Sequence, residues 1–528
     1  MSNRTFTSLV VRSVVAAGLG LAASVSLAQA ESVLRFVPHG DLVVVDPILN
    51  IDYMARNHGY MIYDTLFAFD SKNEIKPQMV DTWTVSEDGM SYSFKLRPGL
   101  KWHDGTPVRA ADCVASLERW GKRDSMGIAM FAALESIKTT GEDMFEIKLA
   151  KPFGHVLAAL GKTGSNVPFM MPERVARTDP FASIEDSTGS GPFYLAKDEW
   201  VPGSKIVYRK FEDYVPREEP ADFLAGGKVA QVDRIEWTVM PDGATAVSAL
   251  ANGEVDWVEV PPADLLPMLA GNEDLVIRST DPFGIQTMLR FNHMHPPFNN
   301  AAIRKAVMAT VSQQDFMQVT SGEENTEVCV SFFVCGTRFA TEAGAEGWLK
   351  AKDLEKAKAL LAEGGYNGEK VIVLDPTDDT VPHNQTIVAV ANLREIGMNV
   401  EVRATDAGSL FALAGNKEPG AWHLFVTWAD ATNYSVPTLN NALRAGGEKN
   451  ASVGWPVNDR IQDLRNQFLA AFAFEEQKTI AAAIQEEAYK DAIYVLTGQY
   501  KQATAYSSRV EGMIDSPIPV MWNISVAE

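Results

Sequence analysis

Hydrophobic and polar positions alternate most regularly between Pro77 and Trp120, in PQMVDTWTVSEDGMSYSFKLRPGLKWHDGTPVRAADCVASLERW. Tyr92, Phe94 and Leu96 point one way and Ser91, Ser93, Lys95 and Arg97 the other, the period of a half-buried strand. Asp88-Gly89 supplies a turn to a preceding strand carrying Trp83 and Val85. Pro98-Gly99 ends this ribbon, and His103-Asp104-Gly105-Thr106-Pro107 makes a second turn. A helix then follows with Ala110, Cys113, Val114 and Leu117 on one face.

The same reading predicts strands at 33–37, 144–149, 205–210, 235–240 and 286–292, with one more starting at Glu254. Residues 53–68 read as a helix through Tyr60, Ile62, Tyr63 and Leu66. Residues 244–251 form another, ended by Asn252-Gly253. Pro297-Phe298-Asn299-Asn300 leads into a helix with Ile303, Ala306 and Val307 inside. Further on, Leu354, Ala357, Leu360 and Leu361 line a helix stopped by Gly364-Gly365. A strand at 371–374, a helix through Val388, Ala391 and Leu393 to Gly397, and a strand at 400–402 make a β-α-β unit with parallel strands. One long helix is expected over about 459–489, with strands at 493–496 and 499–506 after it. The chain is therefore an α/β protein, and its length implies two or three cores.

The first thirty residues change the picture of where the protein works. Arg4 and Arg12 precede an apolar run from Ser13 to Leu27, and Ala28-Gln29-Ala30 is a small-residue cleavage site. This is the pattern of a secretory signal peptide cleaved after Ala30, with a periplasmic mature protein. The apolar run is shorter than the ~20 residues that a bilayer core requires. The formal net charge of the whole chain is −21, and loss of the two leader arginines makes it −23. Such an acidic balance argues against nucleic acid and anionic membranes and favours a self-repelling monomer. In an oxidising compartment Cys329 and Cys335 are expected to form a disulfide; the alternative is two buried thiols in an apolar strand pair. Cys113, on a helical core face, reads as a small buried residue.

Chemistry-bearing motifs are few. Gly161-Lys162-Thr163 lacks the first glycine of a phosphate loop, the position being Val156. No Gly-x-Ser-x-Gly elbow or His-Glu-x-x-His is present, so an enzyme is not expected. His293-Met294-His295 would put two imidazoles on one face of a strand, but exposed histidines in a turn approaching Pro296-Pro297 are the preferred reading; no metal site or cofactor is assigned. A more promising stretch is HLFVTWADATNYSVPTL, where a strand at 423–427 delivers Trp428 and Asp430 to a loop. His39 and Asp41, after the first strand, are secondary candidates for the wall of a binding cleft, and Trp455 for an aromatic lid.

The order of motifs adds a family. Ser-x-Asp-Gly before an alternating strand ending Leu96-Arg97, then Lys101-Trp102-His103-Asp104-Gly105-x-Pro107 and Ala110-x-Asp112, resembles the family-5 solute-binding proteins, the extracytoplasmic receptors of peptide, opine and nickel ABC importers. Asp46-Pro47, Gly189-Ser190-Gly191-Pro192-Phe193, Gly253-Glu254-Val255-Asp256 and Arg290-Phe291-Asn292 are similar to further family segments. The chain departs at Arg109, where the family has Thr; Arg is a poorer N-cap, so fraying of that helix is expected.

The resemblance implies a two-lobed periplasmic-binding-protein-like fold of the large three-domain type, with mixed sheets and a hinge. A discontinuous domain I would span 31–68, 188–287 and 497–528, an inserted domain II 69–187, and domain III, the second lobe, 288–496. It implies a receptor that binds a peptide or other amine-bearing small solute and delivers it to permease subunits at the inner membrane. A metal-chelate or opine-type receptor is the alternative inside the family, an exported hydrolase or peptide chaperone outside it. It also implies that Asp430 pairs with the ligand's α-ammonium beside Trp428; the plainer alternative is a capping Asp beside a core Trp.

Overall fold

The computed structural model describes residues 31–321, 325–449 and 452–527; the expected signal peptide lies outside the described residues. From Ser32 onward the chain forms one compact unit built on two large hydrophobic cores. The bodies around these cores are the two lobes of the fold.

A seven-stranded mixed sheet anchors the first lobe, in the order Leu275–Arg278, Thr504–Ser507, Trp257–Val258, Val33–Val37, Arg234–Thr238, Lys205–Lys210, Phe193–Leu195. Strands from both chain termini and from the middle thus lie side by side. Asp256, fully buried, ties them: its carboxylate takes Arg35 at 2.8 Å and Arg509 at 2.9 Å.

A four-stranded antiparallel sheet packs into the same core. It contains the alternating hairpin, Val80–Val85 with Ser91–Leu96, in the register Trp83↔Phe94 and Thr84↔Ser93. Tyr92, Phe94 and Leu96 are buried as the alternation requires. Gly89 turns the chain at φ 70°, a conformation that costs glycine little. The helix Ala110–Trp120 buries Ala110, Cys113, Val114 and Leu117. Its start is better held than Arg109 suggested, because the Asp112 carboxylate accepts from the Arg109 backbone N–H at 2.8 Å.

The second lobe carries a six-stranded sheet, Thr326–Glu327, Val495–Tyr500, Ile285–Phe291, Leu424–Asp430, Lys370–Pro376, Asn399–Thr405. The last two are parallel and joined through helix Thr380–Glu395, as the β-α-β pattern requires. Two strands, Ile285–Phe291 and Val495–Tyr500, run through the expected domain boundaries without interruption. The chain passes between the lobes just before the first, at 281–284, and just after the second, at 501–503.

Of two expected helices, one ends early and the other is broken. Residues 53–68 are helical only over Tyr53–Ile62, after which Asp64 turns inward to a buried pair with Lys228 at 2.7 Å. The expected helix at 459–489 is two helices, Asp459–Ala470 and Phe474–Asp491. The carbonyls exposed by the break are used: Phe468 O accepts from His155 Nε2, Leu469 O from the Gly154 N–H, and Ala471 O from Gln477 Nε2. Two of those donors belong to the other lobe. Cys329 and Cys335 form a disulfide, and Cys113 is a buried thiol.

Candidate functional site

The strand Leu424–Asp430 is buried along almost its whole length and ends at the gap between the lobes. Its apolar run fixes where Asp430 emerges, and Asp430 then caps the short helix Ala431–Tyr434. One carboxylate oxygen, Oδ1, accepts from the Asn433 N–H (3.1 Å), the Asn433 side-chain amide (3.0 Å) and the Thr432 hydroxyl (2.7 Å). The other, Oδ2, faces the opposite lobe and takes Arg56 Nη1 at 2.9 Å. Asp430 is thus both the capping residue that the plainer reading expected and a charged group presented across the gap.

The facing wall is the first turn of helix Tyr53–Ile62, whose start is fixed by Asp52 accepting from the Met54 N–H. Arg56 is 5 % exposed, and its Nε and Nη2 each donate to Asn57 Oδ1, at 3.2 and 3.1 Å. The guanidinium lies 4.4 Å from the Tyr53 ring centroid, a cation–π contact. The Tyr53 hydroxyl accepts from the Asn433 amide at 2.9 Å, and its ring is 6.1 Å from Trp428. Trp428 is half-buried and donates its indole N–H to Asp379 at 3.3 Å.

His39 borders this group without touching Asp430. Glu259 accepts from both the His39 backbone N–H and its Nδ1 at 2.8 Å. Burial works against the charged imidazole, yet the Glu259 carboxylate outweighs it and raises the pKa of His39 above 6.5. Asp41 lies elsewhere, accepting from the Gly203 N–H at 3.1 Å. Trp455 is also remote: buried against Trp422, it lies at the Leu424 end of the strand that carries Asp430 at its other end. At ~3.3 Å per residue that separates the two by about 20 Å. The structure therefore brings Trp428, Asp430 and, at the margin, His39 together, and leaves Asp41 and Trp455 out.

His293 and His295 follow the strand Ile285–Phe291 instead of lying on one of its faces, and their Nε2 atoms donate apart, to Ile493 O and Lys417 O. Lys162, in the rejected phosphate-loop stretch, is buried against Asp124 at 2.9 Å.

Sequence reasoning missed Arg56, Tyr53, Asn433 and Asp281. Arg56 leaves little signal, because it sits beside the polar Asn57 and His58 in the stretch Met54 to Ile62. Asp281 starts the chain crossing; burial raises its pKa to about 6, opposed by the Gly284 and Phe283 N–H groups, with the Asp430 charge adding to the rise. Asp379 is raised as well, again chiefly by burial. The charges where the lobes meet, the carboxyl groups of Asp430, Asp281, Asp379 and Glu259 with Arg56 and His39 as counter-charges, suit a ligand carrying positive charge and polar groups. Charge-assisted hydrogen bonds of this kind orient a small solute and need no bond-making step.

Known proteins share the whole architecture. Residues 74–451 match the bacterial extracellular solute-binding proteins, family 5. A probable peptide ABC transporter periplasmic-binding protein of Sinorhizobium fredii is 37% identical over 494 residues, covering 92% of each chain. The glutathione-binding protein GsiB of Escherichia coli (strain K12) is 24% identical over 516 residues, 94% of this chain and 95% of the relative. Among solved structures, the periplasmic binding protein DppA of Helicobacter pylori, in complex with the peptide STSA, superposes with a TM-score of 0.76 at 22% identity, over 94% of this chain and 99% of that one.

Proposed function

The chain belongs to the bacterial extracellular solute-binding proteins of family 5, and from that premise we propose that it captures a peptide or other amine-bearing solute between its lobes. The receptor acts in the periplasm as a monomer and hands the solute to the permease of an ABC importer. Segments 281–284 and 501–503 serve as the hinge, and the lobes close about it on the ligand. No covalent step is assigned to the protein. One observation carries the reading: Asp430 Oδ2 points across the gap with a single partner among the described residues, while Oδ1 is fully engaged in holding the loop.

An ammonium placed on that oxygen gains a desolvated, charge-assisted bond. Removing one partner of such a buried pair costs about 3–5 kcal/mol, because the other charge is left alone. The test is titration calorimetry with a short peptide and its N-acetylated counterpart, on the unaltered protein and Asp430→Asn. Asparagine keeps the cap and removes the charge. Acetylation should abolish tight binding to the unaltered protein, and Asp430→Asn should lower affinity for the free peptide at least ~100-fold, about 2.7 kcal/mol. Equal binding of both peptides refutes the role of Asp430. Native mass spectrometry of protein purified from its own periplasm tests the class: a co-purified metal complex or non-amine solute overturns the ligand.

A further inference from the structure

Arg56 is held in place by neighbours on its own helix. Two of its guanidinium nitrogens are bound to Asn57 Oδ1, and its face lies on the Tyr53 ring. Only Nη1 reaches across to Asp430 Oδ2, at 2.9 Å. When a ligand ammonium takes that oxygen, the buried Arg56 keeps its position and loses its counter-charge. Of the other carboxylates beside it, Glu259 is already bound to His39 through both backbone and ring, and Asp52 caps the start of the helix through the Met54 N–H. A buried guanidinium without an anion is strongly disfavoured, so the ligand must bring the anion itself. Arg56 and Asp430 are in direct contact, so the group that separates them has to carry positive and negative charge side by side. An ordinary peptide N-terminus offers an ammonium with only a neutral amide next to it. A head group with ammonium and carboxylate on one carbon offers both.

We propose that this receptor selects solutes that present a free α-amino-acid head group, joined to the rest of the molecule through its side chain, with the ammonium on Asp430 and the α-carboxylate on Arg56. The proposal rests on the receptor reading given above and narrows its ligand class. Arg56 becomes a specificity-determining residue, and its planar fork suits a carboxylate held in two bonds.

Two isomers separate this from ordinary peptide recognition. γ-Glutamyl-alanine carries a free α-amino-acid head; α-glutamyl-alanine has the same composition and the same charges, with its α-carboxyl consumed in the peptide bond. In titration calorimetry on the purified, ligand-stripped protein, the γ-isomer is expected to bind at least ~10-fold tighter, about 1.4 kcal/mol. Arg56→Gln should reduce that preference to within about twofold. The comparison on the unaltered protein does not depend on the variant folding. Equal affinity for the isomers, or tighter binding of the α-isomer, overturns the proposal. So does Arg56→Gln weakening both isomers alike, the behaviour of a contact that merely holds the lobes together. If neither isomer binds but peptides from a tryptic digest of casein are retained in native mass spectrometry, this inference fails and the receptor reading stands. If neither the isomers nor the digest binds, both fail.

Discussion

A backbone contact far in sequence from Asp430 offers a direct way to test whether closure matters. Gly154, in the first lobe, donates its N–H to Leu469 O in the second at 2.8 Å, and His155 Nε2 donates to Phe468 O at 2.7 Å. The His155 and Phe468 rings stack at 4.7 Å. A Cβ on Gly154 would fall 1.8 Å from Ala471 O and 2.5 Å from Ala471 C. Those are backbone atoms, unable to swing aside as a side-chain tip would. Gly154→Ala therefore drives the lobes apart here by roughly 1.5 Å, the shortfall from ordinary contact. Two hydrogen bonds at ~0.5–1.5 kcal/mol each and a ring contact at ~0.5–1.5 kcal/mol are lost, so the closed arrangement weakens by about 2–3 kcal/mol. If the ligand is held only by the closed form, its apparent affinity falls by the same free energy, roughly 30- to 150-fold. Calorimetry with the ligand identified by native mass spectrometry measures the first effect. Small-angle scattering of the loaded protein should show a larger radius of gyration for the variant. Unchanged affinity together with unchanged scattering would refute the reasoning and leave this contact without a part in closure.

Two further outcomes follow from burial and cross-linking. Asp281 titrates at about 6 in the folded protein against an ordinary 3.8, so the native state binds more protons than the unfolded chain between those values. Stability then falls as pH rises from about 4 to 6, by at most ~3 kcal/mol; Asp281→Asn should flatten this part of the profile in urea melts, and a parallel profile would show that Asp281 is not its source. Reducing the Cys329–Cys335 bridge, or replacing both cysteines with serine, frees a short loop and should lower stability by ~2 kcal/mol; an unchanged urea midpoint would mean that the loop is ordered without it.

Local physics made much of the fold legible. The hairpin around Asp88-Gly89 and the β-α-β unit announce themselves because their partners lie a few residues away or repeat with a fixed period. The helix break at 471–473 has no such signature: Ala471-Phe472-Ala473 contains neither Gly nor Pro. Part of what holds it open comes from the other lobe, through Gly154 and His155. The site behaves the same way. Asp430 could be singled out because an apolar strand delivers it, whereas its partner Arg56 lies 374 residues earlier, beyond the reach of any periodicity. Trp455 shows the opposite failure: an aromatic in a loop looked like a lid and instead packs under Trp422.

The position of Thr504–Ser507 has a consequence for how the protein comes into being. This strand lies inside the seven-stranded sheet, between Leu275–Arg278 and Trp257–Val258, and Leu275–Arg278 has no other strand partner among the described residues. As the chain emerges from N- to C-terminus, one sheet edge waits with unmet N–H and C=O groups until Thr504–Ser507 appears. The second lobe, complete by Tyr500, can assemble first. The first lobe therefore closes only once Thr504–Ser507 is available to slot between its two neighbours, so its folding is tied to a segment more than two hundred residues away from the strands it joins.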